Sequence, residues 1–138
     1  MSATIDNPAA VIGRPLKVLV IDDSNTIRRS AEIFLKQGGH EVMLAEDGFD
    51  ALAKVNDYQP NLIFCDILMP RLDGYQTCAI IKRNPRFATT PVIMLSSKDG
   101  LFDKARGRMV GAEDYLTKPF TKDQLLQAVG QFSSAVAA

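Results

Sequence analysis

The chain has no tryptophan, one histidine, two cysteines and no excess of either charge, sixteen basic residues matching sixteen acidic ones. Charge balance leaves no field to hold a nucleic-acid backbone or an anionic membrane surface, so neither is expected as a direct partner. The cysteines, Cys65 inside an apolar run and Cys78 in a helical pattern, are too few for a disulfide framework. They read as buried thiols in a reducing compartment. His40 stands at the start of a predicted strand with no companion for a transition-metal site, and reads as structural. No apolar run exceeds four residues, against the roughly 20 that span a bilayer, and the N-terminus lacks a basic stretch followed by an apolar core. A soluble, cytoplasmic protein is expected.

What is present fits one domain: 138 residues, 46% of them hydrophobic. Residues 1–15 mix small residues with two prolines and read as a flexible tail, with folding expected to begin near Lys17. Beyond it, strands and helices alternate. Strands are predicted over 17–22, 40–45, 61–66, 91–95 and 114–117. Helices are predicted over 25–37 (apolar face Ile27, Ala31, Phe34, Leu35; stop at Gly38-Gly39), around Phe49, Leu52, Ala53 and Asn56, over 73–83, near 103–110 and over 121–132. Uniformly apolar strands such as Leu62-Ile63-Phe64-Cys65 indicate cover on both faces. Alternation with short links predicts an α/β, flavodoxin-like, doubly wound sheet of five parallel strands in the order 2-1-3-4-5 with five helices.

In that order strands one and three are neighbours, and Asp22, Asp23 and Asp66 all fall at their carboxyl ends, where such sheets bind ligands. Strands lie about 4.8 Å apart, so three carboxylates there repel unless a cation sits between them. Oxygen ligands alone indicate Mg2+. Asp66 is then both a ligand and a nucleophile toward a phosphoryl group, with Lys118 neutralising the phosphoryl oxygens and Ser96, after the fourth strand, donating a hydroxyl. Taken singly each group has a plainer reading: Asp22-Asp23 as a helix N-cap, Asp66 as a strand-ending turn, Ser96-Ser97 as a loop opening. Four segments delivering matching groups to one sheet edge favour the joint reading. The Lys118-Pro119 bond is open to either isomer.

The segments VLVIDDS (18–24), EDGFDAL (46–52), FCDILMPRLDGYQ (64–76), PVIMLSS (91–97) and YLTKPF (115–120) resemble the receiver domain of bacterial response regulators, the CheY-like fold, across 17 to about 132. The resemblance implies a receiver over residues 16–133, with 134–138 as a flexible tail. It implies phosphorylation of Asp66 by a CheA-like histidine kinase and Mg2+ held by Asp22, Asp23, Asp66 and the backbone carbonyl of Leu68. Ser96 becomes the switch hydroxyl and Tyr115 the aromatic switch. The output is then a remodelled face of the fourth helix, fifth strand and fifth helix, where Lys104, Arg106, Arg108 and Lys122 stand ready for an acidic partner. Within the family the likeness is strongest to single-domain receivers of chemosensory systems that control type IV pili and twitching motility, so an effector of the pilus machinery is implied. Apolar Leu68 and nearby Lys98 occupy positions that vary in the family and bear on rate. A phosphoryl lifetime longer than that of fast chemotaxis receivers is expected; loss of label within seconds, without a phosphatase, would contradict it.

Other readings fit less well. A flavin or nucleotide module of this fold would present glycine, serine or threonine amides to phosphate, whereas the first loop is acidic. A phosphorylation-independent adaptor typically lacks a carboxylate or the lysine, and this chain keeps them all. Neither end has length for a helix-turn-helix, so a protein effector and a monomeric chain are expected.

Overall fold

The computed structural model describes residues 14–97 and 104–137, with side chains described through residue 133. Five strands and five helices alternate among them: β1 (Lys17–Ile21), α1 (Asn25–Gln37), β2 (Glu41–Ala45), α2 (Gly48–Tyr58), β3 (Leu62–Asp66), α3 (Gly74–Arg83), β4 (Val92–Ser97), α4 (Lys104–Met109), β5 (Asp114–Lys118) and α5 (Lys122–Ala137). The sheet is parallel throughout, in the order β2-β1-β3-β4-β5, as expected.

Alternation along each central strand builds the two faces. Val18, Val20, Leu62, Phe64, Ile93 and Leu95 point to the side covered by α1 and α5, against Ala31, Leu35, Leu125 and Val129. Leu19, Ile21, Ile63, Cys65, Val92 and Met94 point to the other side, against Ala51 and Val55 of α2 and Cys78 and Ile81 of α3. Truncating any of the larger side chains to alanine removes about 2–5 kcal/mol. Both cysteines are buried and carry no disulfide, and burial pushes both thiols up, Cys78 to about 11.

Several boundaries differ from expectation. Leu16 is already 1% exposed, so the fold begins before Lys17; residues 1–13 of the expected tail lie outside the described residues. The helix expected around Phe49, Leu52, Ala53 and Asn56 is α2, and the residues it buries are Gly48, Ala51, Val55 and Tyr58, with Leu52 partly buried beside them. Phe49 instead lies at the surface beneath the Arg71 guanidinium, 5.3 Å from its ring centroid, which is a use for an aromatic that periodicity does not reveal. Helical backbone in α5 continues to Ala137, through most of the expected C-terminal tail. The stop at Gly38-Gly39 holds, with Gly38 as the C-cap of α1 and Gly39 in the left-handed region at φ +87°. The Lys118-Pro119 bond is cis.

His40 is structural. Its Nδ1 accepts a hydrogen bond from the Leu16 N–H at 3.1 Å, and burial lowers its pKa from the ordinary 6.5. The unfolded chain therefore binds this proton more readily than the folded one. His40 contributes stability above pH 6.5 that is lost as pH falls from there toward the folded-state value. Denaturant unfolding at pH 7.5 and 5.5 is expected to show a larger loss on acidification for the wild type than for His40→Asn; equal losses would contradict the assignment.

Candidate functional site

Register assembles the site. Ile21 pairs with Cys65, so the next step along each strand sets Asp22 beside Asp66; Asp66 in turn pairs with Leu95, one step before Ser96. Oxygen atoms of Asp22, Asp23 and Asp66 all lie within 4.8 Å of one another. Asp22 is fully buried and Asp66 nearly so, while Asp23 is exposed. From the end of β5, Lys118 reaches both buried carboxylates: its Nζ donates to Asp22 Oδ2 at 3.0 Å and to Asp66 Oδ1 at 2.9 Å.

Local chemistry fixes the orientation of each group. The Ser24 N–H donates to Asp22 Oδ1 at 2.8 Å, and Ser24 itself, rather than the Asp pair, is the N-cap of α1. Arg28, in the first turn of that helix, donates from Nη1 to the Asp22 carbonyl at 2.6 Å. Behind Asp66, the Gly74 N–H donates to the Ile67 carbonyl at 2.8 Å, and Asp73 caps α3 in a reciprocal capping box with Gln76. A Cβ on Gly74 would stand 2.1 Å from the Asp66 carbonyl oxygen, so only glycine permits this approach.

Crowding controls the electrostatics. Burial raises the Asp66 carboxyl to about 7; Lys118 pulls it down by hydrogen bond and charge, while Asp22 and Asp23 push it up. For Lys118, burial works against the ammonium, but the hydrogen bonds and charges of Asp66 and Asp22 outweigh it and raise its pKa. One lysine thus leaves the three acids short of positive charge, and an all-oxygen donor set of this spacing suits a hard divalent cation.

The remaining predicted residues are placed as follows. Ser96 lies within β4 rather than after it, 6% exposed, its Oγ donating to the Ser97 carbonyl at 3.3 Å. Tyr115, on β5, is 39% exposed, with Lys104 Nζ 5.4 Å from its ring centroid. Leu68, in the loop after β3, turns its side chain outward. Lys98 lies outside the described residues. Lys104, Arg106, Arg108 and Lys122 are all exposed; Arg106 is engaged with Asp73, at 3.7 Å, and with the face of Tyr75. Along β5 runs an open groove of about 550 Å3, lined by the strand together with Pro119 and Gln124. Sequence reasoning missed Arg28 and the role of Gly74. The Asp73-Gly74 turn dipeptide was a signal for the second, whereas an arginine supporting a carbonyl leaves none.

An acidic pocket with one lysine at the switch point of this sheet is the mark of a phosphoryl-receiving signalling domain. The chain belongs to the response regulator receiver domain family, which matches residues 18–130. It is 69% identical over 114 residues to Protein PilG of Pseudomonas aeruginosa, spanning 83% of this chain and 84% of PilG. Protein PilH of the same organism is 35% identical over 113 residues, spanning 82% of this chain and 93% of PilH. Among solved structures, chemotaxis protein CheY4 of Vibrio cholerae superposes with a TM-score of 0.81 at 33% identity, over 86% of this chain and 99% of CheY4. Among the described residues, no helix is long and apolar enough to cross a membrane.

Proposed function

We propose that residues 16–133 act as a single-domain response regulator whose Asp66 accepts a phosphoryl group from the phosphohistidine of a CheA-like histidine kinase. A carboxylate oxygen of Asp66 attacks phosphorus, the phosphorus–nitrogen bond breaks, and the imidazole leaves with the electron pair and takes up a proton. The observation that supports this most directly is Lys118, whose Nζ lies within 3.0 Å of both Asp22 and Asp66 at the sheet edge. There it is poised to stabilise charge on the phosphoryl oxygens, which is where catalysis of such transfers mostly lies.

The three clustered carboxylates fit Mg2+, held by Asp22, Asp23, Asp66 and the Leu68 backbone carbonyl. When bound, the ion supplies charge that keeps Asp66 ionised and neutralises the incoming phosphoryl oxygens. The Ser96 hydroxyl then turns from the Ser97 carbonyl to a phosphoryl oxygen, and Tyr115 moves inward from its exposed position. These movements change the α4-β5-α5 face, which carries Lys104, Arg108 and Lys122, and that face engages an effector protein of the pilus machinery. The likeness to PilG supports a role in twitching motility, carried out in the cytoplasm by a monomer.

Phosphotransfer from a phosphorylated CheA-like kinase domain tests the biochemical step, with transfer expected in Mg2+ and none in EDTA. The cellular step is tested by complementing a deletion strain. The wild-type gene should restore twitching zones and Asp66→Asn should not; equal restoration by both would overturn phosphorylation-dependent signalling.

A further inference from the structure

The loop from Ile67 to Asp73, which crosses from Asp66 to α3 beside the acidic pocket, contains a backbone conformation that the site chemistry does not explain. Arg71 sits at φ +70°, in the left-handed region that non-glycine residues seldom occupy. The Leu72 N–H donates to the Pro70 carbonyl at 2.7 Å, closing a three-residue turn around Arg71 of the rare, strained kind. Glycine would relieve that strain, yet the chain places an arginine there.

Its side chain is committed to α2. Arg71 Nη2 lies 3.0 Å from Asp47 Oδ2, and the guanidinium covers the Phe49 ring at 5.3 Å. Asp47 is also the N-cap of α2, its Oδ1 accepting from the Asp50 N–H at 2.7 Å, so the arginine is anchored to a fixed point of the fold. An ion pair whose arginine is 67% exposed contributes little stability by itself, and an exposed stacking contact little more. Two weak contacts set against a strained backbone do not account for arginine through stability. They do account for a loop held in one shape: Ile67, Met69 and Leu72 anchor it inward, and Arg71 anchors it outward across the top of α2.

We propose that Arg71 is a positioning residue for the cation site: its clamp on Asp47 and Phe49 sets the path of the loop and, through it, the Leu68 carbonyl. This inference rests on the phosphoacceptor reading above, in which that carbonyl is a Mg2+ ligand. Residues that support metal ligands without touching the metal commonly change affinity by about 10- to 100-fold when altered.

The sign of the effect separates positioning from plain electrostatics. Removing a cation near a divalent ion should tighten binding, whereas removing a clamp should weaken it. Mg2+ affinity measured by calorimetry on the full chain is expected to fall about tenfold in Arg71→Ala. Asp47→Asn keeps the helix cap but removes the charge of the pair. In a double-mutant cycle with Arg71→Ala the two losses should be strongly non-additive, because both break one clamp. Unchanged or tighter Mg2+ binding by Arg71→Ala, or additive losses in the cycle, would overturn the proposal. Wild-type chain that binds no Mg2+, or Asp22→Asn that binds it as well as wild type, would instead refute the cation site on which the proposal rests.

Discussion

Replacing Gly74 with alanine is expected to lower stability by about 3 kcal/mol or more and to slow phosphorylation of Asp66 in the fraction that remains folded. The added Cβ meets main-chain atoms on every side that matters: the Asp66 carbonyl oxygen at 2.1 Å and carbon at 2.8 Å, and the Ile67 Cα at 2.8 Å. A flexible side-chain end can step aside freely, but the end of β3 moves only at the expense of its pairing, because Asp66 is paired to Leu95 and the Ile67 N–H donates to the Leu95 carbonyl at 3.1 Å. Relief therefore comes by moving either the strand end that bears Asp66 or the first turn of α3. Against a typical total of 5–15 kcal/mol this is a large fraction, and it should lower the melting midpoint by about 10 °C. Gly130→Ala is the internal comparison. It adds a methyl group to open space in α5 and should leave stability unchanged or raise it by up to about 1 kcal/mol. Thermal melts of both variants check this; a Gly74→Ala midpoint equal to wild type would show that the close approach carries no weight.

Lys118→Met should reduce the rate of phosphorylation from acetyl phosphate by about 100-fold or more while Mg2+ affinity holds or improves. The rate falls because the one positive side chain that contacts Asp66 among the described residues is lost, and removing one such preorganised donor typically costs 10²–10³. Mg2+ affinity moves the other way because Nζ competes for the same oxygens, standing 3.0 Å from Asp22 Oδ2 and 2.9 Å from Asp66 Oδ1. Without the lysine those carboxylates face each other with less compensation, so the variant should be less stable than wild type in EDTA and recover part of the difference in Mg2+. Initial rates at saturating donor, with Mg2+ titration of the same samples, separate the two effects. A rate within threefold of wild type would remove Lys118 from the chemistry.

These expectations draw unequally on the sequence. The strand order was legible because uniformly apolar runs such as Val18–Ile21 and Leu62–Cys65 have one explanation, cover on both faces, and because strict alternation admits few windings. The three carboxylates were legible because each closes such a run, which fixes its place on the sheet edge without any distance being known. The α2 face was not, since Phe49 is apolar for the sake of Arg71 rather than the core, and hydropathy does not distinguish the two. Nor was the end of β4: Ser96 and Ser97 look like loop residues, yet their backbones pair with Thr117 and Lys118, so a hydroxyl predicted just past the sheet stands within it. The Arg71 clamp lay beyond sequence reasoning for a different reason. It joins residues 24 apart that touch only after β2 and β3 have both docked against β1.

The account depends most on Asp66 as the residue that receives the phosphoryl group in a cation-dependent step. Intact mass after incubation with acetyl phosphate, for wild type and Asp66→Asn, in Mg2+ and in EDTA, tests this directly. The account predicts the mass gain of one phosphoryl group for wild type in Mg2+ and no gain in the other three samples. An equal gain in Asp66→Asn, or no gain in folded wild type with Mg2+, would contradict it.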